Sequence, residues 1–215
     1  MAAQENVFLF APNLIGYLRV ILTIAAFALI MKHPSLAGFL YFLNSLLDSL
    51  DGHLARSFNQ CTKFGATFDM LIDRCGTMCF LIVLAIVYSD YFLVFQFLCT
   101  LDIASHWFHM YSSLTKGETS HKSTDVTAHP LLRLYYTDPV LSIMCCGNDI
   151  FFIMLYLLNF SEGPELPLGG FSIGLWRLCA YLFLPICVLK QVVSVIQMIG
   201  AAQQIAAIDL QERHK

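Results

Sequence analysis

The sequence predicts an all-α integral membrane protein of six transmembrane helices, preceded by a short N-terminal interfacial helix. Three observations lead there. Apolar residues fill 58% of the 215 positions and charged residues only 13%, about half the charged share of a soluble domain. The apolar residues gather in runs of about 20, the length that crosses a ~30 Å hydrocarbon core at 1.5 Å per residue. The mean hydropathy, +0.68, is that of a chain solvated by lipid rather than by water. The length suits one membrane domain, 1–215, with no second soluble one. A net charge of −3 lacks the basic footprint that a nucleic-acid partner requires.

Taken in order, residues 4–11 (QENVFLFA) mix polar and apolar side chains and are expected to lie along the membrane surface. Pro12 suits a first helical turn and opens the first span, about 13–31. Asn13 and Arg19 are the polar positions inside it. Arg19 reads two ways, as a side chain snorkelling to the near surface or as one turned inward to a phosphate, and both stay open. Lys32-His33-Pro34-Ser35 turns the chain into the second span, about 36–56. The third starts near Gly65 and runs to Tyr88, and Ser89-Asp90 leads into the fourth, about 91–113. The most polar stretch, 116–133 (KGETSHKSTDVTAHPLLR), separates it from the fifth, about 138–159. Pro164, Pro167 and their glycine neighbours make 161–170 a loop. The sixth span, about 171–198, precedes a polar tail, 199–215.

Charge orients these spans. With six of them, both termini and the segments 57–64 and 114–133 share one side. That side carries Arg56, Lys63, Lys116, Lys122, Arg133, Arg213 and Lys215, against Lys32 alone among the opposite loops. The positive-inside tendency places it in the cytosol. The N-terminus has no basic leader region, so no cleaved signal peptide is expected. Of eight cysteines, all but Cys61 lie in apolar runs and none has zinc-finger spacing, so they read as reduced thiols packed among helices. The sequon Asn159-Phe160-Ser161 falls on the far side, too close to the membrane to expect a glycan.

The chemistry concentrates in 46–74, LLDSLDGHLARSFNQCTKFGATFDMLIDR. Four carboxylates stand there as two pairs, Asp48/Asp51 and Asp69/Asp73, and helical spacing puts each pair on one face. Ionised carboxylates beside hydrocarbon are costly unless paired or bound to a cation. Only Arg56, Lys63 and Arg74 are near in sequence, so the pairs ask for divalent metal, for which carboxylate oxygens are hard ligands. Two ions ~3.5–4 Å apart clamp the attacking and leaving oxygens of a displacement at phosphorus. Gly52 lets backbone approach a nucleotide, Arg56 offers a planar fork to phosphate, and Thr62 adds a hydroxyl. An ionic lock between two helices would want more basic partners and gives no reason for Gly52 and Gly65.

Written as spacing, the stretch is Asp48-x2-Asp51-Gly52-x2-Ala55-Arg56-x8-Gly65-x3-Asp69-x3-Asp73. It resembles the signature of the CDP-alcohol phosphatidyltransferases at every fixed position. Chance agreement at eight positions has a probability of roughly 10⁻⁸ at average residue usage. The resemblance implies a six-helix membrane bundle, dependence on Mg²⁺ or Mn²⁺ with two ions, and transfer of a phosphatidyl group from a CDP-linked donor to an alcohol with release of CMP. It implies metal ligation by Asp48, Asp51, Asp69 and Asp73, with Asp73 also taking the alcohol proton. It implies donor contacts from Gly52, Arg56, Thr62 and Asn13, a homodimer, and a multi-pass place in the endoplasmic reticulum membrane with the active site and both termini facing the cytosol. For the dimer, the sequence itself adds only the small residues Gly200, Ala201 and Ala202.

The signature is silent on the acceptor. PNLIGYLR near the start, LDIASHW at 101–107, SHK at 120–122 and LRLYYT at 132–137 are similar to family members that join CDP-diacylglycerol to myo-inositol. Asp102, Ser105/His106, His109 and Ser112/Ser113 recur at helical spacing as one polar stripe down the fourth span. Such stripes face a bundle interior or a cavity, so this one reads as a pocket wall for a polyol or as helix–helix hydrogen bonding. Two histidines at i, i+3 also admit a second metal site, though without a clear third ligand. Lys122 and Arg133 face either an anion or open water. Serine, choline, ethanolamine and glycerol phosphate are the rival acceptors, and a phosphorylated one would want a more basic pocket. A membrane prenyltransferase would hold its two aspartate motifs far apart in the chain, and a divalent-cation transporter leaves Arg56 beside Gly52 unexplained.

Overall fold

A computed structural model of the protein describes residues 6–115, 130–137, 139–169 and 171–213, and they are overwhelmingly helical. A 3₁₀ turn at Val7–Leu9 comes first, capped by the Asn6 side chain, which accepts from the Phe8 N–H at 3.1 Å. It occupies the segment expected as a short interfacial helix. α1 (Ala11–Leu29) follows with Pro12 in its first turn, where the missing N–H has no intrahelical partner to lose. α2 (Pro34–Ser57) opens on a proline in the same way. It stops at Asn59, whose φ of 55° is left-handed, while the Gln60 N–H reaches back to the Ala55 carbonyl at 2.9 Å.

α3 (Lys63–Val87), a 3₁₀ turn at Ser89–Tyr91, α4 (Phe92–Thr115), the short α5 (Pro130–Tyr135) and α6 (Val140–Leu158) complete the middle of the chain. The segment 161–170, expected as a loop, instead begins a hairpin. β1 (Glu165–Leu168) pairs antiparallel with β2 (Phe171–Gly174), from Glu165↔Gly174 to Leu168↔Phe171, and Gly169 takes a φ of 54° at the turn.

α7 (Leu175–Arg213) has 39 residues and is about 58 Å long at 1.5 Å per residue. A polar tail was expected from 199, yet the helix continues through it. A helix satisfies its own backbone in water as in lipid, and AAQQIAAIDLQER consists of adequate helix formers. The end of an apolar run is therefore no helix stop.

Among the described residues, five stretches are long and apolar enough to cross a membrane: α1, α3, Ser89–Thr115, α6 and α7. α2 has the length, at 24 residues, but its last turns carry Asp48, Asp51, His53 and Arg56. Apolar character alone therefore supports five of the six expected spans, and the polar turns of the remaining one are those that bear the signature.

The described residues divide into two compact units, one drawn from the range Met1–Thr77 with Asp149–Ala180 and the other from Met78–Asn148 with Tyr181–Lys215. In the first, Gly16 lets α1 run against α3: a Cβ there would sit 2.8 Å from Phe68 Cε1 and 3.5 Å from Ile72 Cδ1. Ala26, Ala37 and Tyr41 are buried, and the Tyr156 hydroxyl donates to the Ile30 carbonyl. In the second, Leu132, Tyr135, Met144 and Val193 form the core, and Gly147 admits Ile186 and Phe183 of α7.

Candidate functional site

The two carboxylate pairs lie in one place. Asp48 and Asp51 project from the last turns of α2, and Asp69 and Asp73 from the first turns of α3. Asp48, Asp51 and Asp69 offer carboxylate oxygens that all lie within 4.8 Å of one another. Asp51 is buried and the other three are partly exposed, at 30%, 19% and 27% for Asp48, Asp69 and Asp73. A convergent set of hard oxygen donors fits a hard divalent cation and suits soft-ligand metals poorly.

What the linear reading did not place is Arg19. Rather than snorkelling to the surface, its guanidinium stands among all four carboxylates and is 1% exposed. Nη1 lies 2.8 Å from Asp51 Oδ2 and 2.8 Å from Asp69 Oδ1, and Nη2 lies 2.9 Å from Asp48 Oδ1 and 2.5 Å from Asp73 Oδ1. Arg74 meets the other oxygen of Asp73, Nη2 to Oδ2, at 3.3 Å. Both Asp73 oxygens are thus oriented by arginines, which fixes the carboxylate plane. One guanidinium against four carboxylates still leaves the cluster short of positive charge.

The residues expected as donor contacts stand near the ends of the same three helices, α1, α2 and α3. Thr62 precedes α3 and its hydroxyl accepts from the Gly65 N–H at 3.0 Å, capping the helix. A Cβ on Gly65 would lie 3.1 Å from both Thr62 Oγ1 and Asn13 Oδ1, so this glycine admits the Asn13 side chain. Asn13 is buried and donates from Nδ2 to the Val7 carbonyl at 2.6 Å. Gln60 accepts from the Ala11 N–H at 3.0 Å, tying the loop between α2 and α3 to the start of α1. Arg56 is exposed, and its Nη1 would be 3.6 Å from a Cβ on Gly52, one turn back. A bare backbone turn and an exposed guanidinium thus present themselves side by side. One polar pair here was not singled out from sequence: Ser45 of α2 donates to Asp149 of α6 at 2.7 Å.

The polar stripe of α4 belongs to the second unit, and much of it is partnered by α7. Lys190 Nζ lies 3.7 Å from Asp102 Oδ1, both side chains 7% exposed. His106 donates from Nδ1 to the Asp102 carbonyl at 2.7 Å. Tyr136 donates to Gln197 Oε1 at 3.0 Å, and its oxygen lies 3.2 Å from His109 Nε2. Burial raises the Tyr136 phenol above its ordinary range, so it remains a donor at neutral pH. Ser112 donates to Gln204 at 2.8 Å. Ser113 Oγ and Gln197 Nε2 are buried and have no hydrogen-bond partner among the described residues. Counted from Thr115 at 1.5 Å per residue, His109 lies about 9 Å and Asp102 about 20 Å down α4.

Arg133 is exposed on α5, and Lys122 lies outside the described residues. Lys190, Gln197 and Gln204 were missed in the sequence, although they recur every seventh residue and so share one face of α7.

Comparison with known proteins bears on this arrangement. Residues 9–124 match the family model described as CDP-alcohol phosphatidyltransferase. The chain is 49% identical to the mouse (Mus musculus) CDP-diacylglycerol–inositol 3-phosphatidyltransferase, over 99% of this chain and 98% of that one. It is 41% identical to the Drosophila melanogaster protein of the same name, over 100% and 93%. Against the Schizosaccharomyces pombe one it is 40% identical, over 98% and 94%. No solved structure matches the chain.

Proposed function

The chain belongs to the CDP-alcohol phosphatidyltransferase family, and from that premise we propose that it transfers the phosphatidyl group of CDP-diacylglycerol to myo-inositol, giving phosphatidylinositol and CMP. The observation that carries the acceptor is similarity over essentially whole chains, at 40–49% identity, to animal and fungal proteins named for that reaction. The geometry supports the chemistry independently, because four carboxylates converge beside a phosphate-suited arginine and a glycine turn.

The family is divalent-metal dependent and the aspartate cluster is suited to such an ion. We assign Asp48, Asp51, Asp69 and Asp73 to two Mg²⁺ or Mn²⁺ ions. Bound there, the ions would supply Lewis-acid neutralisation of the donor diphosphate and of the leaving CMP. The rest falls to side chains. Arg56 and the bare turn at Gly52 take the nucleotide phosphates, and Asn13 and Thr62 stand at the mouths of α1 and α3 for the remaining donor contacts. Asp73, oriented through its other oxygen by Arg74, receives the proton of the attacking inositol hydroxyl. That oxygen bonds to the phosphatidyl phosphorus as the bond from phosphorus to CMP breaks.

For the acceptor we assign His109, His106, Arg133 and Lys122, with Asp102 deeper along the same stripe and with Tyr136 and Gln197 as added hydroxyl and amide partners. A polyol needs many donors and acceptors, and the buried Gln197 amide and Ser113 hydroxyl still have capacity to spare. The charge pattern supports a multi-pass arrangement with both termini and the active site in the cytosol, and the family resemblance supports the endoplasmic reticulum as the membrane. A homodimer completes the proposal.

The test is transfer by purified protein in mixed micelles of CDP-diacylglycerol and Mg²⁺, with labelled inositol, serine and glycerol 3-phosphate offered separately. Label is expected in lipid from inositol alone, with none in EDTA. Label from another alcohol would keep the family chemistry and overturn the acceptor. No transfer from any, by folded protein, would return the prenyltransferase and the transporter.

A further inference from the structure

Arg19 holds the oxygens that metal ligation would use. The three carboxylates with convergent ligand atoms, Asp48, Asp51 and Asp69, are all among its partners, at 2.8–2.9 Å. Mg²⁺ demands oxygens at about 2.0–2.1 Å in near-octahedral order. A guanidinium nitrogen within hydrogen-bonding distance of those oxygens occupies the space in which an ion would sit. It also carries like charge. For the oxygens it holds, Asp48 Oδ1, Asp51 Oδ2 and Asp69 Oδ1, guanidinium and ion compete.

The guanidinium is also an incomplete occupant. Its Nε–H is buried and has no acceptor among the described residues, although both terminal nitrogens are fully engaged. An arginine placed to stay would use that donor, because a buried unmet N–H is costly. Charge points the same way: two divalent ions balance four carboxylates and one guanidinium does not. The backbone beneath Arg19 is held, since Gly16, one turn earlier, is pressed against Phe68 and Ile72. Movement is therefore available to the long side chain rather than to α1.

We propose that Arg19 is an exchangeable internal counter-ion, which balances the carboxylates until divalent ions enter and is then displaced onto the anionic diphosphate of the donor. This rests on the metal-centre reading above. It makes metal and guanidinium competitors for one set of oxygens, and donor and guanidinium partners once metal is bound. The bidentate fork and the free Nε–H suit two phosphate oxygens, which lysine would serve less well.

The decisive experiment follows the arginine side-chain ¹⁵Nε–H signals of the wild-type protein in micelles during Mg²⁺ titration, with Arg19 assigned through Arg19→Lys. The Arg19 signal is expected to shift in step with Mg²⁺ occupancy and to move again when CDP-diacylglycerol is added. Calorimetry supplies the second arm. If the guanidinium occupies the cluster nine-tenths of the time, Arg19→Met should bind Mn²⁺ about tenfold more tightly than wild type, as removal of a competing state requires. A merely structural arginine predicts the opposite, weaker binding in Arg19→Met. An Arg19 signal unmoved by bound Mg²⁺, or Mn²⁺ affinity in Arg19→Met equal to or below wild type, overturns the exchange and leaves the metal centre standing. Failure of wild type to bind either ion overturns both. Should Arg19→Met not fold, the wild-type titration decides alone.

Discussion

Replacing Asp73 by asparagine should abolish most of the transfer while leaving the protein folded. The side chain keeps its shape, and its amide oxygen still accepts from Arg19 Nη2, now 2.5 Å from Oδ1. The amide nitrogen then faces Arg74, 3.3 Å from Oδ2, and cannot accept from it. Going from a charged to a neutral acceptor costs about 1–2 kcal/mol. Against this, one of four mutually repelling carboxylates has been neutralised around a single guanidinium, so the net change in stability in EDTA should be within about 1 kcal/mol. The chemical step has no such compensation. A general base contributes about 10²–10⁴ in rate, or roughly 3–5 kcal/mol of barrier. Initial rates of labelled inositol entering lipid, under saturating CDP-diacylglycerol and Mg²⁺, should show that loss in kcat with KM for inositol changed only a few-fold. Retention of more than about a tenth of wild-type kcat would refute Asp73 as the base. A loss of activity that merely tracks thermal unfolding in EDTA would refute the separation of chemistry from fold.

Further outcomes follow from the same geometry. Gly16→Val should drive Phe68 from its place between Tyr17 and Phe64, displacing Arg19 relative to Asp69 and Asp73. Transfer should fall about 10²-fold, as ångström-scale misplacement does, with partial recovery in Gly16→Val/Phe68→Leu. Lys190→Met takes the ammonium from buried Asp102, leaving His106 Nδ1 3.6 Å from Oδ1, and should cost about 1–3 kcal/mol by denaturant unfolding, most of it regained in Asp102→Asn/Lys190→Met. Gln197→Leu should raise KM for inositol about tenfold without altering KM for the donor, because it removes the partner of Tyr136. Gly52→Val crowds Arg56 Nη1 and should raise KM for CDP-diacylglycerol in steady-state titrations while the inositol KM holds.

How much of this was legible in the sequence differs from element to element. The helices were, because apolar runs of membrane length and prolines at their starts are local signals; Pro12 stands in the first turn of α1 as expected, whereas Pro34, expected in the turn before the second span, itself opens α2. The far end of α7 was not, because polarity marks the edge of a membrane rather than the end of a helix. The hairpin 165–174 was hidden by two prolines and a run of glycines that read as loop. In the site, i, i+3 and i, i+4 spacing paired the aspartates within each helix correctly.

The sequence by itself determined a helical membrane protein with two carboxylate pairs, a glycine turn and an arginine in a spacing that belongs to one family of phosphoryl chemistry. Only the tertiary structure decided what meets those groups. Arg19 reaches Asp51 and Asp73 from 32 and 54 residues upstream, and Gln204 reaches Ser112 across 92. Helical periodicity is a property of one backbone turn and says which side chains share a face. Which faces then touch depends on how closely backbones approach, as at Gly16 and Gly147, and on buried polar groups finding partners, for which linear spacing carries no signal.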